Sequence, residues 1–451
     1  MAFKDEVNAR RSLLEDKVRQ AVALALKGGA DECEVVIQGS EGLEVSTRHA
    51  EVENIEFNKA AGMEVVVFKD KRRGIATTTD LSAKALADTV EAAIAIAAHT
   101  DRDPCAGICE KELLCTGERD LDMVHALLES PDAGIERAAA AERCIISELP
   151  QGIKDSDGAG YESILNLRVL GNSHGFCKSS AATYHYTSMT LIGEKDGTMQ
   201  RGAGYSIARD PAKLGSPEEV AKEALERTLA KLGASQVPTG RYNVIFSRQA
   251  ALSLWGHLLS AIAGGSVYRK TSFLSGKLNE QIFPDFITLH EDPFIPQGLA
   301  SFNFDAEGLQ VRENDVIKDG ILTMYLLSTY TGRKLGMRSN AHAGGMANGF
   351  VNADAAHTRD FDEMLREAGE GLVITDLMGQ GVDLVSGNYS RGAAGFYFKN
   401  GEKVHPVEEI TVAGNLKDMF LNLALVGSDR DPRTRLQCGS LLIPDMTVSG
   451  S

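Results

Sequence analysis

The sequence predicts an α+β protein: an N-terminal half built of helix-and-antiparallel-sheet units, followed by a β-rich C-terminal domain. Three observations carry this. The order helix, several strands, helix occurs twice before residue 237. Beyond that point the pattern is mostly strands separated by glycine-rich turns. Helices and strands come in runs rather than in strict βαβ alternation, which argues against a parallel doubly wound sheet.

Taken in order, residues 5–27 have a helical pattern with Leu13, Leu14, Val18, Ala21, Val22 and Ala25 on one side, ended by Gly28-Gly29. From Cys33 to Thr78 the period changes to that of strands, in "CEVVIQ", "GLEVSTR" and "GMEVVVF". The basic cluster "KDKRR", Lys69 to Arg73, reads as a hairpin tip. A helix is expected from about Leu81 to His99, and another from Ala133 to Leu149. Strand candidates fill Tyr161 to Ile207, with Asp196-Gly197 as a hairpin turn. Ser216 and Glu219 are spaced as a capping box opening a helix that should end at Gly233. Two related units, 1–100 and 120–235, are therefore expected within an N-terminal domain of 1–237. Pro238-Thr239-Gly240 marks the boundary with a second domain, 238–451, where Asp319-Gly320 and Asn400-Gly401 sit between strand-like runs.

A formal charge of -16 over 451 residues excludes general attraction to phosphate backbones, so no nucleic-acid partner is expected. No apolar run approaches the roughly 18 residues of a membrane span, and "MAFKDEVNARRSLLEDKV" lacks the apolar core of a signal peptide. Seven scattered cysteines then read as reduced cytosolic thiols, in a cytoplasmic protein. Cys105, Cys109 and Cys115 cluster without the spacing or fourth ligand of a structural metal site.

Several motif matches fail on context. Gly171-Asn172-Ser173-His174-Gly175 fits a nucleophile elbow, but a strand-like run follows it where a helix is required, so it reads as a hairpin turn. His290-Glu291 has no second histidine at 294 or 295, and Pro293 breaks the helix that would aim the ligands. Gly379-Gln380-Gly381 lacks the third glycine of a dinucleotide fingerprint.

The remaining candidate is "SLWGHLLSAIAGGSVYRKTSFLSGK", Ser253 to Lys277. On a helix, Ala251, Leu254, Leu258 and Ile262 form an apolar stripe, and Ser253, His257, Ser260 and Ala261 line a neighbouring face suited to close packing or to a cleft wall. His257 alone cannot hold a catalytic zinc, which takes about three protein ligands. The glycine-rich segment from Gly379 to Gly395 leaves two readings open: tight turns in a closely packed sheet, or a cleft wall where Tyr389, Ser390 and Arg391 meet a peptide or a partner chain.

The segments "GGSVYRKTSFLSGK", "GLASFNFDAEG", "IKDGILTMYLLSTYTGRKLG", "HAGG", "LMGQGVDLVSGNYSRGAAGF", "EEITVAGNLKDM" and "QCGSLLIPDM" together resemble the TldD/PmbA peptidase family, on its PmbA (TldE) branch. The resemblance spans nearly the whole chain. It implies a cytosolic heterodimer with a TldD-like subunit, a homodimer being the form for the chain alone. The complex would be a zinc metallopeptidase for flexible or unfolded peptides, associated with peptide-antibiotic maturation, antitoxin turnover and modulation of DNA gyrase. The TldD-like branch carries an H-E-x-x-x-H zinc motif and a third ligand, a C-terminal cysteine. Here the corresponding stretch reads "LSLWGHLLSAIAGG": His257 is followed by Leu258 where the water-activating glutamate should stand, and only Cys438 matches besides. The expectation is therefore no catalytic residue, metal or cofactor in this chain, with His257 and Cys438 as vestiges and the zinc in the partner. Ser253, Ser260, Arg269, His342, Tyr389, Ser390 and Arg391 are the expected cleft or partner-facing residues. Two alternatives stay open: an autonomous metallopeptidase, and a non-proteolytic binding protein acting on gyrase or an antitoxin.

Overall fold

The computed structural model of the chain describes residues 2–127 and 130–451; Met1, Leu128 and Glu129 lie outside the described residues. The N-terminal half is one six-stranded antiparallel sheet of order β3-β2-β1-β4-β5-β6. Its strands are β1 (Glu32–Arg48), β2 (Glu51–Lys69), β3 (Arg72–Thr78), β4 (Ile153–Asn172), β5 (Cys177–Lys195) and β6 (Thr198–Ala208). The two helix–sheet–helix units are thus joined edge to edge, through antiparallel pairing of β1 with β4 from Glu34↔Asn172 to Thr47↔Ala159.

Helices α1 (Ala2–Lys27) and α2 (Ala83–His99) flank the first three strands, and α3 (Pro131–Ile146) and α4 (Pro217–Leu229) the last three. All four cover one face. Cys33, Val35 and Ile37 of β1 pack with Val18 and Ala21 of α1, and Thr47, on the same face, bonds Glu142 of α3. The α1 stripe differs from expectation in part: Leu14, Val18, Ala21 and Ala25 are buried and Val22 is half-buried against them, Val7 joins them, and Leu13, about 100° round the helix from Leu14, is 59% exposed. "CEVVIQ" and "GLEVSTR" form a single strand rather than two, because Gly42 is not a turn. A Cβ there would collide with the Ser163 carbonyl and Ile164 of β4. The Ser216–Glu219 capping box is present, but α4 stops at Leu229, short of Gly233, where bonds from Lys231 to Thr228 and from Leu232 to Leu229 tighten the chain into 3₁₀ geometry.

The hairpin tips follow turn chemistry. Asp196-Gly197, Asp319-Gly320 and Asn400-Gly401 all have positive φ at both residues, as two-residue type I′ turns require. Asp70-Lys71, inside "KDKRR", does the same without glycine.

The C-terminal half begins with β7 (Gly240–Phe246), α5 (Arg248–Ile262) and α6 (Gly264–Tyr268). A five-stranded sheet follows: β8 (Ile287–Asp292), β9 (Asn314–Lys318), β10 (Ile321–Leu322), β11 (Asn348–Ala353) and β17 (Leu436–Gln437). The larger sheet holds β7 with β12 (Thr358–Arg359), β13 (Glu370–Met378), β14 (Asn388–Lys399), β15 (Glu402–Asn415), β16 (Leu425–Gly427) and β18 (Leu441–Ser449). β7 pairs with both β13 and β18, so β7, β13, β14, β15 and β18 close into a ring. Register shifts at Ile374/Asp376, Ala393/Gly395 and Ile443/Met446 supply the bends that closure needs.

The halves are locked together. Leu170 and Phe176 of the N-terminal sheet pack with Phe304, Leu309, Val311 and Ala341, and with Cys109 and Cys115 of the connecting segment. All seven cysteines are free thiols. Arg433 reaches from the C-terminal half to Glu223 of α4 (2.8 Å), donates to the Tyr205 carbonyl (2.6 Å) and lies over the Tyr205 ring. Among the described residues, no helix is long and apolar enough to cross a membrane.

One interface group gives a pH prediction. Half-buried Glu34 stands near Glu307, Asp305 and Arg168; burial first, and the Glu307 charge second, push its carboxyl up to about 7. A carboxyl raised above its unfolded value of about 4.3 stabilises the fold below that value and loses the contribution as pH rises through the folded value. Glu34→Gln should therefore stabilise the protein at pH 8 by roughly 1–2 kcal/mol after allowing for solvent screening. The gain should vanish near pH 5. Thermal unfolding at both pH values checks this; an equal effect at the two would contradict it.

Candidate functional site

Ser247 caps α5, accepting from the Ala250 amide (3.3 Å), and the helix buries Ala251, Leu254, Leu258 and Ile262 as its spacing predicts, with Trp255 and Ala261 buried besides. The neighbouring face is half-open. Ser253 Oγ lies 3.4 Å from His257 Nε2, one turn on, and accepts a 2.8 Å hydrogen bond from Arg391 Nη1 on β14. Arg391 Nε donates to the Met378 carbonyl (3.4 Å), and no carboxylate pairs with this guanidinium among the described residues. Burial first, then the Arg391 charge, lower the His257 pKa, so the imidazole is neutral at pH 7.

Ser253 and Arg391, but not His257, line a groove of about 590 Å³ between the two halves, with Met378 on their wall and Gln200 and Lys231 on the other. Lys231 pairs with Asp376 (2.8 Å), and Gln200 hydrogen-bonds Glu408 across it. Sequence reasoning missed Gln200, Lys231, Asp376 and Glu408. They carry no local motif and meet only because the β6 end of the first sheet folds onto the closed ring.

The other expected residues part company. Ser260 is exposed and turns its hydroxyl back to the Gly256 carbonyl (2.8 Å). Ser390 is exposed, and Arg269 is exposed beyond α6 with its guanidinium over the Tyr268 ring. Two expectations are corrected. His342 is 5% exposed and belongs to an internal network, bonded to Glu291 (2.8 Å) and Asn340 (2.9 Å), so it faces neither cleft nor partner. Tyr389 is 1% exposed, packed edge-on against Phe246 and His257, and cannot meet a peptide backbone without leaving the core.

A metal does not suit the residues present. Cys438 is buried against the first turn of α5, its Sγ 3.7 Å from the Arg248 carbonyl, and burial pushes its thiol up to about 12. Cys438 thus touches the start of α5, whereas His257 lies nine residues on, about 13 Å along the helix axis. Among the described residues, no group of three or more His, Cys, Asp or Glu side chains is arranged to hold a metal.

Three family models match the chain in succession: PmbA/TldA metallopeptidase domain 1 over residues 33–97, the central domain over 126–232 and the C-terminal domain over 239–450. The chain is 46% identical over 450 residues to the "Metalloprotease PmbA" of Escherichia coli O157:H7, covering 100% of this chain and 99% of that one. Its fold is similar to a Bacteroides thetaiotaomicron crystal structure described as a candidate modulator of DNA gyrase, with TM-score 0.90, 24% identity and coverage of 97% and 98%. It is also similar in fold to TldE from Thermococcus kodakarensis, with TM-score 0.81, 19% identity and coverage of 96% and 100%. With a relative at this identity along its entire length, and all three domains of the family in order, the chain belongs to the PmbA/TldD metallopeptidase family.

Proposed function

We propose that this chain is the PmbA (TldE)-type subunit of a cytoplasmic zinc-peptidase complex, and that it supplies architecture and a peptide-facing wall while a TldD-like partner supplies the zinc. One observation carries the reading. By the resemblance, α5 corresponds to the family's metal-motif helix; it is capped by Ser247 and packed on its apolar side, but it presents His257 beside Ser253 and Arg391, with Leu258 next and Cys438 buried at the far end. A neutral, isolated imidazole without a neighbouring carboxylate can hydrogen-bond a peptide but has neither the ligand set nor the general base for metal-assisted hydrolysis. Homologous architecture lets the chain pair with its active relative through equivalent surfaces and enclose the partner's zinc. Such an enclosure admits flexible chains that enter as extended strands and excludes folded proteins.

Mixing purified chain with a TldD-like partner should produce cleavage of an unfolded protein such as reduced, alkylated casein, with little from either alone. His257→Ala in this chain should retain at least about half of that activity, while replacing a zinc-ligand histidine in the partner should abolish it. Loss of activity on His257→Ala with assembly and folding intact would contradict the division of labour.

A further inference from the structure

The groove beside α5 has a cation at one end that the chain itself does not neutralise. Arg391 Nη1 donates to Ser253 Oγ (2.8 Å) and Nε to the Met378 carbonyl (3.4 Å), while Nη2 has no acceptor among the described residues. Both partners are neutral oxygens, so the guanidinium is held in place with its charge unpaired. The far end of the groove has the opposite character. Ala394, three residues and about 10 Å along β14 from Arg391, pairs with Asp376 on one side and faces Glu408 and Glu409 on the other, where the β14–β15 register shifts. Lys231 offsets Asp376 (2.8 Å), and Gln200 holds Glu408 without neutralising it, so this end stays acidic.

A free strand edge joins the two ends. β7 pairs with β13 only from Gly371 to Ile374, where the Ser247 amide bonds the Ile374 carbonyl and the chain turns into α5. From Asp376 to Met378, β13 has β14 on one side and the groove on the other. Such an edge can take an extended peptide as an added strand.

We propose that Arg391 is a carboxylate anchor: a peptide lying along the β13 edge sets a carboxylate, its C-terminal one or that of an acidic side chain, on the N–H fork of Arg391 Nη1 and Nη2. This rests on the reading of the wall as peptide-facing and adds the chemistry that the wall selects. A guanidinium fork matches two carboxylate oxygens. Ser253 and the Met378 carbonyl already fix the side chain, so little rotamer freedom is lost on binding. The acidic end repels a carboxylate placed there and so disfavours the reverse orientation. His257 reports occupancy. Its Nε2 lies 3.4 Å from the same Ser253 hydroxyl, and the Arg391 charge helps to hold its pKa down. A bound carboxylate offsets that charge and should raise the His257 pKa.

Three probes test the anchor: an acetylated Ala/Ser hexapeptide with a free C-terminus, its C-terminal amide, and that amide carrying one Glu in place of a Ser. Each is titrated into the full-length chain and followed through the His257 ring resonances, with circular dichroism confirming that every variant is folded. At least one carboxylate-bearing probe should bind at least tenfold tighter than the plain amide and raise the His257 pKa: the free acid where the C-terminus serves, the Glu amide where a side chain does. Arg391→Met should erase the preference, and Arg391→Lys, which keeps the charge without the fork, should retain part of it. No binding, equal affinity for all three probes, or a preference that survives Arg391→Met would overturn the proposal. A carboxylate preference in a chain that gives no casein cleavage with a TldD-like partner would leave the anchor standing and overturn the proposed function instead.

Discussion

Glu142→Ala should destabilise the N-terminal sheet by about 3 kcal/mol or more, the cost of stranding several buried donors around one removed carboxylate. Glu142 is fully buried on α3 and accepts from Thr47 Oγ1 (2.7 Å), Ser156 Oγ (2.5 Å) and the amides of His49 (3.1 Å) and Ala50 (3.0 Å). These donors belong to β1, the β1–β2 turn and β4, so a single carboxylate on α3 ties the two helix–sheet–helix units together. His49 and Ala50 both hold positive φ, a conformation neither residue favours, and their amides are aimed at Glu142 by it. Glu142→Gln should recover little, because its amide nitrogen must point at donors. Chemical unfolding followed by circular dichroism checks this, and a cost below about 1 kcal/mol would show that water replaces the carboxylate.

Trp255→Ala should cost about 3–5 kcal/mol. The ring is 1% exposed and stacks on Phe283 at 5.1 Å, which stacks in turn on Phe420 at 4.7 Å. Truncation empties the middle of the C-terminal core on the buried side of the helix that carries Ser253 and His257, so peptide-dependent function should fall with stability. Trp255→Phe should cost under about 1.5 kcal/mol, since it keeps most of the volume and removes an indole N–H that has no acceptor among the described residues. Equal costs for the two variants would mean that the stack does not set the core.

Local chemistry made much of this fold legible in the sequence. The Ser216–Glu219 capping box and the Asp-Gly and Asn-Gly turns specify their geometry through a handful of adjacent atoms, and the α5 stripe through its period. What required the fold was long-range. Nothing local in "GLEVSTR" tells that Gly42 lets β4 approach, nor that β1 and β4 would merge two helix–sheet–helix units into one sheet. Tyr389 and His342 look like surface-site residues because their neighbours are glycine-rich and polar; their burial comes from Phe246 and Glu291, over fifty residues away in each case. At the candidate site, His257, Ser253 and Arg391 were readable, whereas Lys231, Asp376, Gln200 and Glu408 come together only where the two halves meet.

The central claim is that α5 keeps the place of a metal-binding helix without its chemistry. Zinc content of the full-length chain, purified without chelator and measured by mass spectrometry beside its peptidase activity, tests it most directly. The account predicts well under 0.1 zinc per chain and no cleavage of unfolded peptides by the chain alone. One zinc per chain, lost together with cleavage activity on His257→Ala, would contradict it.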